Sequence, residues 1–570
     1  MKHLRTSVCL GVFFVTGALF STGALAQVSP ADQAGSSAAD TGATQDIVVT
    51  AQRRSENLKD VPIAITAVTP ERAKDLNIRD LPSLQLVTPG LSFTTGNDYA
   101  MVYIRGVGAN FSNPGVENPV GVYVDGAYVP RSLGGNLDLF DTSSMQILKG
   151  PQGTLWGRNS TGGAILITTA DPVFETTARA QGEIGNLGHR EIESVVNVPL
   201  SETVAVRVSG RYIKEGGYIT NLPDGSRFGW SNRSAIRAKV LFEPSDDFSA
   251  KLLVERDAGE NSQQAYSQFL PNVFCLFCTN PGTGYTYPLA DPYTTTLNTF
   301  NNGVGNRNRS TWGNLQLKYT FGDFTLASVT SYNKNSSVLT SDFDYTSVQG
   351  LEFYIPSTSK VWNQSVTVTS DTGSMIDGMA GFEYLNEKST YDIFLQTSLN
   401  PPFSGPRPPA NINTESYSLF GEVTLKPMDR LKIIAGGRYT HDSRFGSRVG
   451  EPNQRLSFNS FVPRFVVSYD AGAFNIYASY NEGTKAGGFS SPAVPLTTFR
   501  PERLKAFEAG VKFVSADRRV RANISAFHYN YNDLQTIAVS NADVNNIGQD
   551  RKSTRLNSSH TDISRMPSSA

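Results

Sequence analysis

Cysteine is nearly missing from this 570-residue chain, which holds only Cys9, Cys275 and Cys278. That count excludes a disulfide-knit scaffold and any four-cysteine zinc site. The five histidines, His3, His189, His441, His528 and His560, are widely separated. No H-E-x-x-H pair and no G-x-S-x-G elbow occurs, so the familiar metalloprotease and hydrolase signatures are absent and no enzyme is expected. Beyond the N-terminus there is no run of ~18 apolar residues, so no spanning helix is expected. Charge is scarce as well, at 18% of residues, where soluble domains carry ~25%. Lys plus Arg (50) and Asp plus Glu (51) nearly cancel, which leaves no basic field for nucleic acid and no acidic tail.

What the chain does have is 23 Tyr, 32 Phe and 50 Gly, a β-rich mixture. Residues 1–26 read as a secretory signal: Lys2 and Arg5 form a basic start, "VCLGVFFVTGALF" an apolar stretch, and Ala24–Ala26 a cleavage site. A membrane anchor is the competing reading, but Gly, Thr and Ser interrupt the run. Cys9 leaves with the signal. Residues 27–45 form a flexible, polar linker, and then comes an isolated β-branched run, Asp46, Ile47, Val48, Val49, Thr50 and Ala51.

From about Thr177 to 549 the dominant pattern is period-two alternation, the mark of strands with two different faces. In "GNLQLKYTF", Leu315, Leu317, Tyr319 and Phe321 oppose Asn314, Gln316, Lys318 and Thr320. "TVAVRVSGRY" sets Val204, Val206, Val208 and Tyr212 against Arg207, Ser209 and Arg211, and "AFNIYASY" sets Phe474 and Ile476 against Asn475. About 15 such segments follow one another without helices, joined alternately by short turns and long polar connections such as 257–309 and 389–411, as in outer-membrane barrels. The aromatics of "FHYNYND" (Phe527–Asp533) fit an interfacial girdle.

Residues 52–172 follow a different rule. Thr69 is expected to cap a short helix with Pro70 at its first position, followed by a second helical stretch. Short strands are expected around "MVYIRGVG", "VGVYVDGAYV", "SMQILKG" and "GGAILITT", making a compact mixed α/β domain of roughly 120 residues. Gly106, Gly126, Gly150, Gly153, Gly162 and Gly163 would permit tight turns and close backbone approach. The Gly-rich run has no following Lys-Ser or Lys-Thr, which speaks against a phosphate loop.

With these motifs in order, the chain resembles the TonB-dependent outer-membrane receptors. "DIVVTA" (46–51) is similar to the TonB box. "TPGLSF", "IRGVG", "VGVYVDGAYVPR" and "ILKGPQGTLWGRNSTGGAILITT" resemble plug motifs, and "TKAGGF" and "FRPERLKAFEAGVK" late barrel motifs. The resemblance implies a mainly β protein: a transmembrane antiparallel barrel of the 22-stranded class around an N-terminal plug. It also implies residence in the outer-membrane lipid of a Gram-negative bacterium, a monomer without cofactor, and TonB as the partner of residues 46–51. Family arginines of the "IRG" and "LRGP" type lock the plug to barrel glutamates. Arg105 would then meet Glu508, while Lys149 stands where an Arg is usual and loses the two-pronged bond. Arg158 is expected as a buried or interfacial charge of the same lock.

The implied function is energised uptake of a scarce ligand, with ferric siderophore as the default. Glycans, cobalamin and aromatic compounds are alternatives by the same mechanism. A passive porin or adhesin needs neither plug nor tethered strand. A signalling receptor needs a further domain, for which Gln27–Gln45 leave no room.

Three features stand apart. Cys275 and Cys278 form a lone C-x-x-C, where export favours a disulfide over a metal site or a redox pair. "FRPER" at Phe499 invites a haem reading, but no nearby histidine offers an iron ligand. The tail 550–570 does not alternate, contains no aromatic residue and reads as foreign. The barrel is therefore expected to lack roughly six or seven strands of its class. The alternative is a naturally smaller barrel, which an end without strand character would leave with an open edge.

Overall fold

The computed structural model describes residues 47–96, 99–109, 115–129, 139–262, 294–295, 305–342, 351–370, 372–373, 375–397, 405–492, 495–518, 520–538 and 543–559. The signal, the linker, Asp46, Cys275 and Cys278 lie outside them.

The N-terminal domain is built on a five-stranded mixed sheet in the order Ile65–Val68, Thr142–Lys149, Gly163–Thr169, Val120–Val124, Ala127–Val129. Gly163–Thr169 runs parallel to Val120–Val124 and antiparallel to Thr142–Lys149. Both faces of this sheet are covered, which is why its strands are apolar at successive positions. Ile147, Ile165 and Val122 face one cluster with Ile78, Leu81 and Leu84. Leu148, Leu166 and Tyr123 face another with Val49, Ala51 and Trp156. The helix Pro70–Asp75 starts as the sequence requires: Thr69 Oγ1 accepts from the amide of Arg72 at 3.4 Å, and Pro70 fills the first turn. The second helical stretch is a 3-10 segment, Pro82–Leu86.

One glycine shows what the Gly-rich run is for. At Gly163 φ is +147°, and a Cβ there would lie 2.2 Å from the carbonyl oxygen of Leu148, so no other residue fits between the two strands.

Among the described residues sixteen strands, from Thr177–Ile184 to Asp543–Ser559, form one antiparallel sheet in which each pairs with its neighbours in chain order. The two end strands are not paired with each other, so the barrel is not closed. The alternation reads out as expected: Leu315, Leu317, Tyr319 and Phe321 point outward, while Asn314 is buried on the inner face. Phe474 and Ile476 likewise point outward and Asn475 inward. An apolar outside and polar inside suit strands that meet lipid on one face only.

Three expectations are corrected. Phe527, Tyr529 and Tyr531 form no girdle: they share the inward parity of their strand, opposite to exposed Ile524, and pack with Val107 of the plug. The outward aromatic band lies instead near the short turns, in Phe242, Tyr319, Phe321, Phe324 and Phe474. The connection expected at 389–411 is mostly strand, because Ile376–Thr397 and Gly405–Met428 extend as a long hairpin. Finally, the loss of alternation at 549/550 is not a break in the sheet: Asp543–Ser559 pairs with Arg521–Ala538 by main chain, which needs no side-chain pattern.

Candidate functional site

The chemistry of this molecule lies where plug meets barrel wall. The sequence places Arg105 in the turn between Tyr99–Ile104 and Val107–Gly108, with φ at 52°. That turn aims its guanidinium at the wall. Arg105 Nη1 donates to Glu508 Oε2 at 2.5 Å and to Tyr529 Oη at 3.0 Å, and Nη2 donates to Ser525 Oγ at 2.9 Å. The cation also stands 4.0 Å from the ring centre of Phe527. Glu508 in turn accepts from Tyr477 Oη at 2.7 Å and from the amide of Ala64 at 3.3 Å. The expected contact between Arg105 and Glu508 is therefore made, inside a cage of aromatic and hydroxyl groups.

Lys149 behaves differently. It is buried nearby, yet its ammonium group forms no ion pair among the described residues; its backbone amide donates to Ala64 O at 2.9 Å. Burial, and then the positive charge of Arg105, push its ammonium group down to about 8, with Glu508 opposing. A lysine here cannot reproduce the forked bond of an arginine.

Arg158 closes a second junction. Its Nη1 donates to Asp442 Oδ1 on the wall at 2.8 Å and its Nη2 to Glu117 Oε1 at 3.1 Å. Glu117 is a plug residue that the sequence reading passed over, and it also accepts from Arg444 Nη2 at 2.6 Å. Its signal was present: a single acidic residue beside the apolar run "PVGVYV", where a buried charge must find partners.

The segment resembling a TonB box is docked rather than free. Val48–Val49 pairs antiparallel with Glu56–Asn57 in a small hairpin. Val49 and Ala51 are fully buried while Val48 is 59% exposed. Trp156 Nε1 donates to Ala51 O at 2.8 Å, and Gln146 Oε1 accepts from the amide of Thr50 at 3.0 Å. Arg53, which was given no role, fastens the segment: Nε donates to Leu155 O at 2.7 Å and Nη1 to Ser365 Oγ at 3.0 Å, and the guanidinium pairs with Glu383. Glu383 is shared with Arg438. Nearby, Lys512 Nζ holds Leu58 O at 2.9 Å, and Lys59 Nζ reaches Asp470 Oδ1 at 3.3 Å in a tight turn. The hairpin therefore sits at the short-turn mouth of the barrel, the periplasmic end in outer-membrane barrels.

Further ion pairs surround the plug. Asp141 takes Arg207 Nε at 2.9 Å, and Asp171 takes Lys239 and Lys251 at 2.9 and 2.6 Å. Burial would raise the Asp171 carboxyl, but the two lysines hold it below its ordinary value. Glu183, His189 and Glu191 also converge, but Arg79 pairs with both carboxylates and Arg211 with Glu191, which makes them a charge network. Arg500 of "FRPER" pairs with Asp533 at 2.6 Å.

An outward-apolar antiparallel sheet wrapped around a charge-locked mixed domain defines a plugged outer-membrane barrel. Residues 57–164 match the TonB-dependent Receptor Plug Domain, and residues 259–561 match the TonB dependent receptor-like beta-barrel. The chain belongs to the TonB-dependent receptors, transport proteins of the Gram-negative outer membrane rather than enzymes. It is 22% identical to the Pesticin receptor of Yersinia pestis over 524 residues, 86% of this chain and 71% of the relative. It is 27% identical over 165 residues, 27% of this chain and 20% of the relative, to the Catecholate siderophore receptor Fiu of Escherichia coli. Among solved structures, the ferric yersiniabactin uptake receptor FyuA from Yersinia pestis superposes with a TM-score of 0.72 at 19% identity, covering 86% of this chain and 74% of that one. The alcaligin outer-membrane receptor FauA from Bordetella pertussis gives 0.65 at 14%, covering 90% and 79%.

Proposed function

We propose that this receptor imports a ferric siderophore, and that residues 46–51 are the strand that pairs with TonB. The observation that carries the coupling is the position of Val48–Val49, a two-residue strand beside the short turns, held by a hairpin, one tryptophan bond and the Arg53 clasp. An extended segment so placed can leave its hairpin and add to a sheet edge of a periplasmic partner, with main-chain bonds giving affinity and alternate side chains, Ile47 and Val49, giving specificity. Support for the ligand comes from the relatives, whose names speak of ferric yersiniabactin, alcaligin and catecholate siderophores.

The test is uptake of radioactive iron, delivered on a panel of phenolate, catecholate and hydroxamate siderophores, by cells in which this is the sole receptor. Uptake of at least one complex, lost when TonB is deleted, is expected. Normal growth without iron after deletion of the receptor, together with no uptake from the panel, would remove iron as the cargo. Screening glycans, cobalamin and aromatic compounds would then reassign the ligand while leaving the mechanism intact.

A further inference from the structure

One stretch of the barrel's outer face carries a row of like charges. Lys334, Lys360 and Lys388 lie on three neighbouring strands, Phe324–Asp342, Leu351–Ser370 and Ile376–Thr397, and pair directly in register, Lys334 with Lys360 and Lys360 with Lys388. All three are exposed and share the outward parity of Tyr332, Trp362 and Phe394 on their own strands. Through Thr311 the row reaches exposed Arg256, and exposed Arg309 stands one outward place beyond Thr311. Among the described residues none of these five cations forms an ion pair, whereas nearby Arg307 has Glu260 at 2.8 Å. Like charges directly opposite one another on a sheet are destabilising, so the arrangement calls for an anion from outside the chain.

The height of the row decides what surrounds that anion. From the short-turn ends of the strands, eight residue steps lead from Phe248 to Arg256, ten from Phe324 to Lys334 and from Ser370 to Lys360, and twelve from Ile376 to Lys388. About 9–11 residues cross the hydrocarbon core, so the cations stand at its outer boundary. Tyr332 and Trp362, an outward pair directly beneath them, are the aromatic girdle of that boundary. Lower still, Thr330, Gln364 and Ser328 satisfy one another by hydrogen bonds, and Leu326 and Val368 continue the apolar surface. On the strands that follow, the outward groups at comparable height are Glu415, His441 and Asn459. These bond to tyrosines or to each other, so the unmatched charge is local and not a belt round the barrel.

We infer that Arg256, Arg309, Lys334, Lys360 and Lys388 bind the headgroup of a multiply phosphorylated lipid of the outer leaflet, whose acyl chains lie along the apolar wall beneath. Five strands spaced about 4.8 Å apart make the row roughly 19 Å wide, room for more than one phosphate. Lysine and arginine form strong charge-assisted bonds to phosphate oxygens. Cations above and apolar surface directly below select an amphiphile over a free phosphate, which has no use for the lower half.

The test uses the purified full chain in zwitterionic detergent, with bound lipid counted by native mass spectrometry. The probes are bis-phosphorylated lipid A, singly phosphorylated phosphatidylglycerol and inorganic phosphate. Lipid A is expected to bind several-fold more tightly than phosphatidylglycerol, and inorganic phosphate at the same concentration should not displace it. Lys334→Gln, Lys360→Gln and Lys388→Gln together should weaken lipid A binding several-fold, while Lys334→Arg, Lys360→Arg and Lys388→Arg together retain it. A control with Lys74→Gln, Lys318→Gln and Arg430→Gln, exposed cations elsewhere, should bind like the unaltered chain. Unweakened binding in the glutamine triple, an equal loss in the control, or a loss in the arginine triple overturns the site. Displacement by inorganic phosphate, or equally tight binding of phosphatidylglycerol, overturns the ligand. If the glutamine triple does not fold, the probe series on the unaltered chain and the arginine triple still decide.

Discussion

Arg105 and Glu508, 403 positions apart in the chain, meet through a buried bond of 2.5 Å between plug and wall. Replacing Glu508 by Gln leaves the arginine its bonds to Tyr529 and Ser525 but strands its charge beside Lys149. Breaking one side of a buried pair costs about 3–5 kcal/mol. The plug should then leave the barrel at lower urea concentration, as followed by protease access to its turns. An unchanged midpoint would show that the cage, rather than the charge pair, seats the plug.

Arg53 holds the N-terminal hairpin through Leu155, Ser365 and Glu383. Arg53→Ala should weaken docking by about 1.5–3 kcal/mol, the usual worth of hydrogen bonds to a charged group. Hydrogen exchange at the amide of Thr50 should accelerate accordingly, while exchange within Gly163–Thr169 stays slow. Equal acceleration in both places would mean that the plug loosens as a whole.

Val48→Pro fixes the backbone and removes one amide donor. Because Val48 is exposed, little plug packing is lost. Transport should be abolished with ligand binding retained, and persistence of energised uptake would take residues 46–51 out of the coupling role.

Lys149 gives a pH signature. Its folded-state value is about 8, against an ordinary 10.5, so the unfolded chain holds the proton more tightly. The penalty for burying the charge is complete below the folded value and is relieved as pH rises from about 8 toward 10.5. Lys149→Met should stabilise the plug at neutral pH and abolish the part of the rise in stability across that window that belongs to this group. A denaturation midpoint with the same pH slope in both proteins would count against this account.

Gly163→Ala tests the close approach to Leu148. With φ at +147° and 2.2 Å of clearance, a methyl group must push two strands apart. A loss of at least about 2 kcal/mol is expected from strain of this kind, measured as a lower plug unfolding midpoint.

Much of the candidate site was legible in the chain. Arg105 and Arg158 stood out as charges beside glycine-rich turns that would need partners if buried, and Glu508 was reached as the counterpart of Arg105 through the resemblance to the receptor family. Glu117, Asp442, Arg53 and Glu383 were not singled out. Their partners lie on strands hundreds of residues away, and nothing in local sequence distinguishes a carboxylate facing the plug from one facing solvent. Tyr529 and its neighbours show the same limit. Aromatics near a strand end suit a membrane belt equally well, and only the register of Arg521–Ala538 turned them inward.

Period-two alternation, the signal-like start and the glycine spacing come from local physical chemistry. Side-chain parity follows from the pleat and φ from the absence of a Cβ, so the amino-acid order alone gives a compact mixed domain followed by barrel-type strands with an outward apolar face, and the plug inside the barrel is what the motifs' resemblance to the receptor family adds. Which charges meet across the seam, and that the TonB-box-like strand is clasped by Arg53, depend on how sixteen strands of different length and register surround the plug. Those relations are properties of packing, set by contacts distant in sequence, and tertiary structure alone decides them.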